Sequence, residues 1–295
     1  MKTAIIILNY NDYYNTSSYV NNIKDYSIID NIIVVDNNSN DGKNNELKKL
    51  ESNKIDVVFA NKNGGYAYGN NIGLKYLEEK YGKEYFEYVI ISNPDVSVTE
   101  EAIKKCIAIL EENNNIAIAA PRMYFTYGPA RRSAWKERKF LIDIANSTRF
   151  TELILYPIFK SGEYTNKDFS ENILGVDSIA GSFFIARFNY FKEIDFFDEN
   201  TFLFFEEDII CKKLREKGYK IVSLNDCNFI HYDSVTIGKI INMFKKQDIL
   251  FESRKYYNKK YNNISKFDLL LLDILKILRK FELLFEVPLR KLFQK

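Results

Sequence analysis

Five short apolar runs, TAIIIL, NIIVVD, DVVFA, EYVIIS and IAIAA, recur through the first 120 residues, and longer segments of helical pattern, such as 44–51 and 71–81, stand between them. Strand and helix in alternation is the rhythm of βαβ units. It predicts an α/β fold built on a mixed, mostly parallel sheet with flanking helices. Ligands on such sheets bind beyond the carboxyl ends of the strands. Polar residues gather there: Asn9, Tyr10 and Asn11 after the first run, residues 36–40 with Asp36 and Asn38 after the second, 61–65 after the third, and Asn93, Pro94 and Asp95 after the fourth. Any one group reads as a turn, since Asn, Asp and Gly are turn formers. Four groups in succession along one sheet edge favour a binding site.

Composition narrows the class without naming a ligand. With 295 residues, 46% of them hydrophobic and 28% charged, the chain can bury the core of one large α/β domain with or without an appendage. Lys plus Arg (42) nearly balances Asp plus Glu (40), so no overall field points to nucleic acid. Cys106, Cys211 and Cys227 lack metal or redox spacing, and an odd number argues against a disulfide framework, as in a reducing cytosol. The opening MKTAIIILNYND reads as a first strand in preference to a secretory signal, and no run approaches the roughly twenty apolar residues of a membrane span. A cytoplasmic protein, soluble or peripheral, is expected.

The glycine-rich stretch NKNGGYAYGNNIGL spaces Gly64 and Gly69 as a P-loop does, but Asn70 and Asn71 stand where that loop needs Lys and Ser or Thr. The G-x-G-x-x-G dinucleotide fingerprint is absent as well. What remains is a glycine-lined loop entering a helix, which lets a ligand approach the backbone. Residues 122–172 look like a long irregular excursion over the sheet edge; the basic RRSAWKERK within it reads as a solvated surface in preference to a phosphate site. DSIAGSFFIARFNYF reads as a returning strand whose Gly181 allows close backbone approach.

FLFFEEDIICKKLREKGY then places Glu206, Glu207 and Asp208 behind three phenylalanines and ahead of a helical pattern that Gly218 stops. Acids favour a helix start. Aromatic neighbours also push carboxyls toward a dry setting, where their pKa values rise. Capping and catalysis are evenly balanced on this segment alone. Asp95, at a strand end beside Pro94, suits a hard cation, and His231, the chain's single histidine, is a candidate second ligand, although a lone histidine is more often structural. Asp36 can accept hydrogen bonds from a base or simply form a turn.

Taken in order, VVDNNSNDG, NKNGGYAYGNNIGL, ISNPDV, GVDSIAGSFFIAR and FDENTFLFFEEDIICKKLREKGY followed by FIHYDS resemble the successive motifs of family 2 glycosyltransferases, in the bacterial rhamnosyltransferase-like branch with a GT-A fold. The resemblance covers about the first 235 residues. It implies a nucleotide diphosphate sugar as donor, a divalent cation (manganese or magnesium), and transfer with inversion to a hydroxyl of a glycan or lipid-linked acceptor, with rhamnose a candidate sugar and surface polysaccharide the product. By the same resemblance Asp36 meets the base, Asn63, Gly65 and Asn70 line the donor pocket with the strand-end residues Asn9, Tyr10, Asn11, Asn38, Asn93 and Gly181, and Asp95 and His231 hold the cation. Glu207 falls at the catalytic base, with Glu206 and Asp208 beside it. Three positions depart from the family pattern: Asn93 replaces a common acid, Glu207 a usual Asp, and Lys213 a common Arg, so Asp208 stays open as the base. A catalytically silent nucleotide-sugar binder and a nucleotidyltransferase are the rival readings.

A catalytic domain over 1–235 and a helical extension over 236–295 are expected. In the extension Leu271, Ile274, Leu275, Leu278, Phe281 and Phe285 form an apolar stripe. It suits either a helix packed on its own domain or an interfacial helix on an anionic membrane.

Overall fold

The computed structural model describes residues 2–155, 158, 163–232 and 243–293. The strands β1 (Thr3–Asn9), β2 (Asn31–Asp36), β3 (Ile55–Phe59) and β4 (Tyr88–Ser92) lie parallel in the order β3-β2-β1-β4. Their connections carry α1 (Tyr13–Ile23), α2 (Asn44–Lys48) and α3 (Tyr66–Tyr81). β2 and β4 are buried along their whole length, which is why they read as continuous Ile and Val runs: both faces of a parallel sheet are covered. Alternation sorts the side chains. Ile5, Ile7, Ile32, Val34 and Ile90 face α1 with its Tyr19 and Val20, while Ile6, Ile33, Val35 and Ile91 face α3 with Leu74 and Leu77.

The second half runs through β5 (Val96–Val98), α4 (Glu100–Glu112), β6 (Ile116–Phe125), the two-residue strands β7 (Gly128–Pro129) and β8 (Ala134–Trp135), α5 (Phe140–Ala145) and α6 (Arg149–Leu155). It continues with β9 (Ile173–Val176), β10 (Ser178–Ile179), β11 (Phe183–Arg187), α7 (Phe188–Glu193), α8 (Glu206–Glu216) and β12 (Lys220–His231). β11 inserts antiparallel between β4 and β6, and the sheet continues β4-β11-β6-β12-β5. β12 slips register between Leu224 and Asn228. Its first part pairs with β9 and its last residues with β5, which sets His231 opposite Val96.

The mixed, mostly parallel sheet agrees with the sequence, but four details differ. β6 runs on to Phe125, and the excursion after it holds short strands and helices, so 122–172 is not irregular throughout. α3 begins at Tyr66, ahead of residue 71. The returning strand breaks at 180–182 and ends at Arg187, where Phe188 and Phe191, three residues apart, turn into the core on α7. Finally RRSAWKERK is not simply a solvated surface. Arg138 points inward, its Nε 2.8 Å from the Asp208 carboxylate and its guanidinium 3.6 Å from Asp143, and Asp208 and Asp143 are 2% and 0% exposed.

Two further helices, α9 (Met243–Tyr261) and α10 (Lys266–Phe293), follow; Asp233, Ser234 and the rest of 233–242 lie outside the described residues. α9 is part of the core that surrounds α8. Tyr257 is buried against Phe205 and Ile209, Ser253 Oγ donates to the Leu203 carbonyl at 2.8 Å, and Arg254 reaches Asp143 at 3.7 Å and donates to Ser147 Oγ at 3.0 Å. An extension starting at 236 thus includes a helix that shares buried charge with the preceding chain. Removing one member of a buried pair leaves the other uncompensated, at about 3–5 kcal/mol. Arg254→Met is therefore expected to lower the unfolding free energy by about 3 kcal/mol in one cooperative denaturant transition; an unchanged midpoint would separate α9 from this core.

Candidate active site

The site begins with backbone in an uncommon conformation. Phe204 and Phe205, immediately before α8, have φ of 76° and 74°. Left-handed bulky residues cost roughly 1–3 kcal/mol each and persist only where surroundings enforce them. Here Phe205 packs on Tyr257, ring centroids 5.2 Å apart, and the Phe202 carbonyl accepts the Tyr66 N–H that opens α3, at 3.0 Å. Gly65 has φ 92°, and a Cβ there would overlap Phe202. Glycine is required by conformation and by space.

The three acids at the start of α8 then part company. Asp208 is held on all sides: Trp135 Nε1 donates to it at 2.6 Å, Ser178 Oγ at 3.3 Å, and Arg138 pairs with it at 2.8 Å. Glu206 is 3% exposed and one of its oxygens has no partner; burial, then the adjacent Glu207 charge, pushes its carboxyl well above the carboxylate range. Glu207 is the half-buried one. Burial raises its pKa to about 7, with the Asp208 charge adding to the rise and Arg138 opposing it. Gly181 makes room for it, since a Cβ at 181 would sit 2.5 Å from Glu207 Oε1. The Tyr66 hydroxyl donates to the Gly181 carbonyl at 2.6 Å beside these acids.

One residue further on, the Ser182 carbonyl accepts the Asn93 N–H at 2.8 Å. This joins the turn beside Glu207 to the end of β4, where Asp95 follows. His231 Nε2 stands 3.3 Å from Asp95 Oδ1 and, buried, has no hydrogen-bond partner. Two donors bound to one cation at about 2.1 Å and near right angles stand roughly 3 Å apart, so the pair fits a divalent cation. Among the described residues no group of three or more His, Cys, Asp or Glu could hold a metal. The remaining positions would fall to water or substrate oxygens. The Asn93 side chain is half-buried nearby.

The strand-end residues form a second, hydrogen-bonded group. Asn9 Nδ2 donates to Asp36 at 2.7 Å and Asn9 Oδ1 accepts from Thr16 at 2.8 Å. Asp36, 1% exposed, also accepts from the Ser39 hydroxyl and N–H. Its carboxylate thus organises the loop around it. Asn11 and Asn38 adopt φ of 52° and 60°, and Asn11 Oδ1 accepts the Asn40 N–H at 2.8 Å. Tyr10 is half-buried and Asn38 exposed. Asn63 Oδ1 accepts from Asn37 Nδ2 and the Gly65 N–H. Asn70 is fully buried, its Nδ2 donating to the Tyr66 carbonyl and its Oδ1 unpartnered. Lys213, half-buried, donates to the Phe196 carbonyl at 3.0 Å. Sequence reasoning missed Tyr66, Trp135 and Arg138; the lone Trp inside RRSAWKERK was the available signal.

The mixed, mostly parallel sheet with flanking helices is the GT-A fold of glycosyltransferases. The fold is shared with GalNAc-T7 bound to UDP, GalNAc and Mn2+ (TM-score 0.63, 13% identity, 87% of this chain and 50% of that chain). It is also shared with the Pyrobaculum calidifontis mannosyltransferase PcManGT in complex with GDP-Man and Mn2+ (TM-score 0.58, 13% identity, 90% and 65%). The family model for glycosyl transferase family 2 matches residues 4–194, and the chain belongs to that family. Among curated relatives, the Haloferax volcanii low-salt glycan biosynthesis hexosyltransferase Agl10 is 27% identical over 237 residues, 79% of this chain and 67% of its own length. The rhamnosyltransferase WbbL of Escherichia coli K12 is 25% identical over 178 residues, 57% and 61%.

The Asp95–His231 pair is open to a direct test. Manganese is expected to add a saturable rise in melting temperature in the presence of a nucleoside diphosphate, and Asp95→Ala or His231→Ala to remove the manganese-dependent part. A rise that persists in both variants would place the cation elsewhere.

Proposed function

We propose that this protein transfers a sugar from a nucleotide diphosphate donor to a hydroxyl of a glycan or lipid-linked acceptor with inversion, Glu207 acting as general base. The observation that carries this is the division of labour at the start of α8. Asp208 is consumed by Arg138, Trp135 and Ser178, whereas Glu207 is half-buried, sits against Gly181 and titrates at about 7. A base is most effective with a pKa near the working pH. Asp95 and His231 would hold a divalent cation, which offsets the charge developing on a departing diphosphate. Glu207 takes the acceptor proton and, in doing so, strengthens the attacking oxygen. The names of Agl10 and WbbL support a hexosyl or rhamnosyl unit, and rhamnose in surface polysaccharide assembly is the reading we favour within that range.

Glu207→Gln is expected to reduce turnover by about 10²–10⁴ while donor binding is retained. In the wild type, turnover should fall as pH drops below about 7, because the base must be ionised, and that limb should vanish in the variant. Stability gives an independent sign. A carboxyl whose folded pKa is raised contributes stability that is present below its unfolded pKa near 4.5 and lost as pH rises through about 7. Above pH 7 Glu207→Gln should therefore melt at or above the wild type, which separates loss of chemistry from loss of fold. A variant with wild-type turnover would move the role away from Glu207.

The acceptor side points to a lipid surface. The expected stripe on α10 divides. Leu275 is buried with Leu272 and Phe251, and Leu271 packs on them, while Ile274, Leu278, Phe281 and Phe285 are exposed together with Ile277 and Leu284. Glu282 accepts the N–H groups of Arg149 and Phe150, which docks the start of α6 on α10 and sets exposed Phe150, Leu153 and Ile154 nearby. Contiguous apolar surface of this extent marks an interaction site. No helix among the described residues is long and apolar enough to cross a membrane, so this face would lie along a lipid interface in place of spanning it. Ile277→Glu with Phe281→Glu should reduce co-sedimentation with phosphatidylglycerol vesicles several-fold and leave the melting temperature within about 2 °C, since both side chains face outward. Unaltered vesicle binding would assign the face to a protein partner.

A further inference from the structure

A cleft of about 540 Å3 opens between β6 and the segment around residues 163–169, lined by Arg122, Arg131, Glu163, Tyr164, Thr165 and Phe169 among others. Arg122 is its unusual member. Its guanidinium lies 4.5 Å from the centre of the Phe169 ring and 5.8 Å from that of Tyr124, and its Nε is buried without a hydrogen-bond partner. It makes no ion pair with any described residue. The other arginines whose side chains are described reach a carboxylate or a backbone carbonyl: Arg131 and Arg132 converge on Glu163, Arg138 and Arg254 on Asp143, Arg187 on the Ile116 carbonyl. The one carboxylate lining this cleft, Glu163, is thus engaged by two other arginines. A guanidinium held over an aromatic ring is only weakly hydrated and keeps N–H donors for bidentate capture of a planar or tetrahedral oxyanion.

Position supplies the second argument. β11 pairs with β6 with Ile185 opposite Ala119 and Ala186 opposite Ile118. Ser182 Oγ contacts Met123 Sδ at 3.4 Å, so the turn at 181–182 lies beside the residue that follows Arg122 on β6. Ser182 follows Gly181, the residue against which Glu207 lies. Residues 122 and 125 alternate to opposite faces of β6. Phe125 packs with the α1 and α4 layer and stacks on His231, centroids 6.2 Å apart, whereas Phe169 beneath Arg122 belongs to the α3 and α8 layer. Arg122 therefore lies on the Glu207 side of the sheet, away from the Asp95–His231 pair that suits a donor diphosphate.

We propose that Arg122 is an anchor for the acceptor, binding a carboxylate or phosphate oxyanion that the acceptor carries. The word acceptor rests on the glycosyltransferase reading; the oxyanion site rests on Arg122 alone. The test uses the full chain, with glucuronate, inorganic phosphate and uncharged glucose as probes, each titrated while the melting temperature is followed. Saturable stabilisation by glucuronate or phosphate and none by glucose is expected, with affinity at least about tenfold weaker in Arg122→Met. Response to glucuronate alone identifies a uronate-bearing acceptor; response to phosphate alone identifies a phosphorylated or lipid-diphosphate acceptor. Should the Met variant fail to fold, Arg122→Lys, which keeps the charge and loses the planar fork, should still weaken binding at least about threefold. Silence from both anions, or equal affinity in the wild type and the folded variants, overturns the proposal. Hydrolysis of nucleotide sugars by the wild type is read in parallel. Arg122-dependent anion binding without any such hydrolysis would sink the transferase reading and keep the anion site, and hydrolysis without anion binding would do the reverse.

Discussion

Two carboxylates and two guanidinium groups alternate through the interior beneath α8: Asp208, Arg138, Asp143 and Arg254, with separations of 2.8, 3.6 and 3.7 Å. Asp208, Asp143 and Arg254 are each no more than 2% exposed. Taking such ions out of water costs several kcal/mol apiece, and only close pairing with full hydrogen bonding offsets it. The chain of charge recruits Trp135, Ser178, Ser147 and Asn258, whose Nδ2 donates to Asp143 at 2.7 Å, while Asp143 Oδ1 and the Nε atoms of Arg138 and Arg254 rely on the ion pairs alone. Three stretches distant in sequence, the excursion after β6, the acidic start of α8 and the helix α9, are thereby fixed to one another. The position of Glu207 follows, because its neighbour cannot move without exposing an unpaired charge.

The same interaction separates the chemistry of three adjacent acids. Burial raises all three carboxyls, but for Asp208 the Arg138 charge and the Trp135 hydrogen bond oppose the rise, while Glu206 and Glu207 also face like charge. The strained Phe204 and Phe205 aim this turn, and the 198–205 segment that carries them is tied down on both sides. Asp198 accepts from Tyr256, Lys260 and Tyr261 of α9, and Asn71 of α3 holds the Phe197 backbone through both of its amide atoms. Strain at φ near 75° survives because these contacts leave the loop no relaxed alternative.

How much of this the sequence revealed depended on whether the cause was local. The parallel half of the sheet was legible because strands buried on both faces become unbroken Ile and Val runs. α1 was not, since YYNTSSYVNNI presents an outer face of Asn, Ser and Tyr that looks like a loop, and β12 was hidden by its polar residues 225–228 at the slip in register. Of the site, the glycine loop, the acids of α8, Asp95 and His231 could be named from motif order. Trp135 and Arg138 could not. Trp135 meets Asp208 across 73 residues, and a contact of that span leaves no spacing to read. The stripe of α10 was visible as a period, but a period does not say which of its residues meet another helix, and α9 takes only part of it.

The departure from the family pattern at Glu207 is explained by the turn at 180–182. Gly181 presents its backbone to Glu207 so closely that any β-carbon would meet the carboxyl at 2.5 Å, and its carbonyl is pinned by the Tyr66 hydroxyl. A Glu at 207 therefore does not need added space; its extra methylene lies along the bare backbone of Gly181. The two residues form one unit, in which a missing side chain on β11's approach accommodates a longer one on α8. Because Ser182 also binds the Asn93 backbone, this two-residue turn is where the geometry of Glu207 meets that of the Asp95–His231 pair. A shift at 181–182 would move both, which couples the Glu207 carboxyl to the end of β4 through covalent neighbours in place of a long chain of packed side chains.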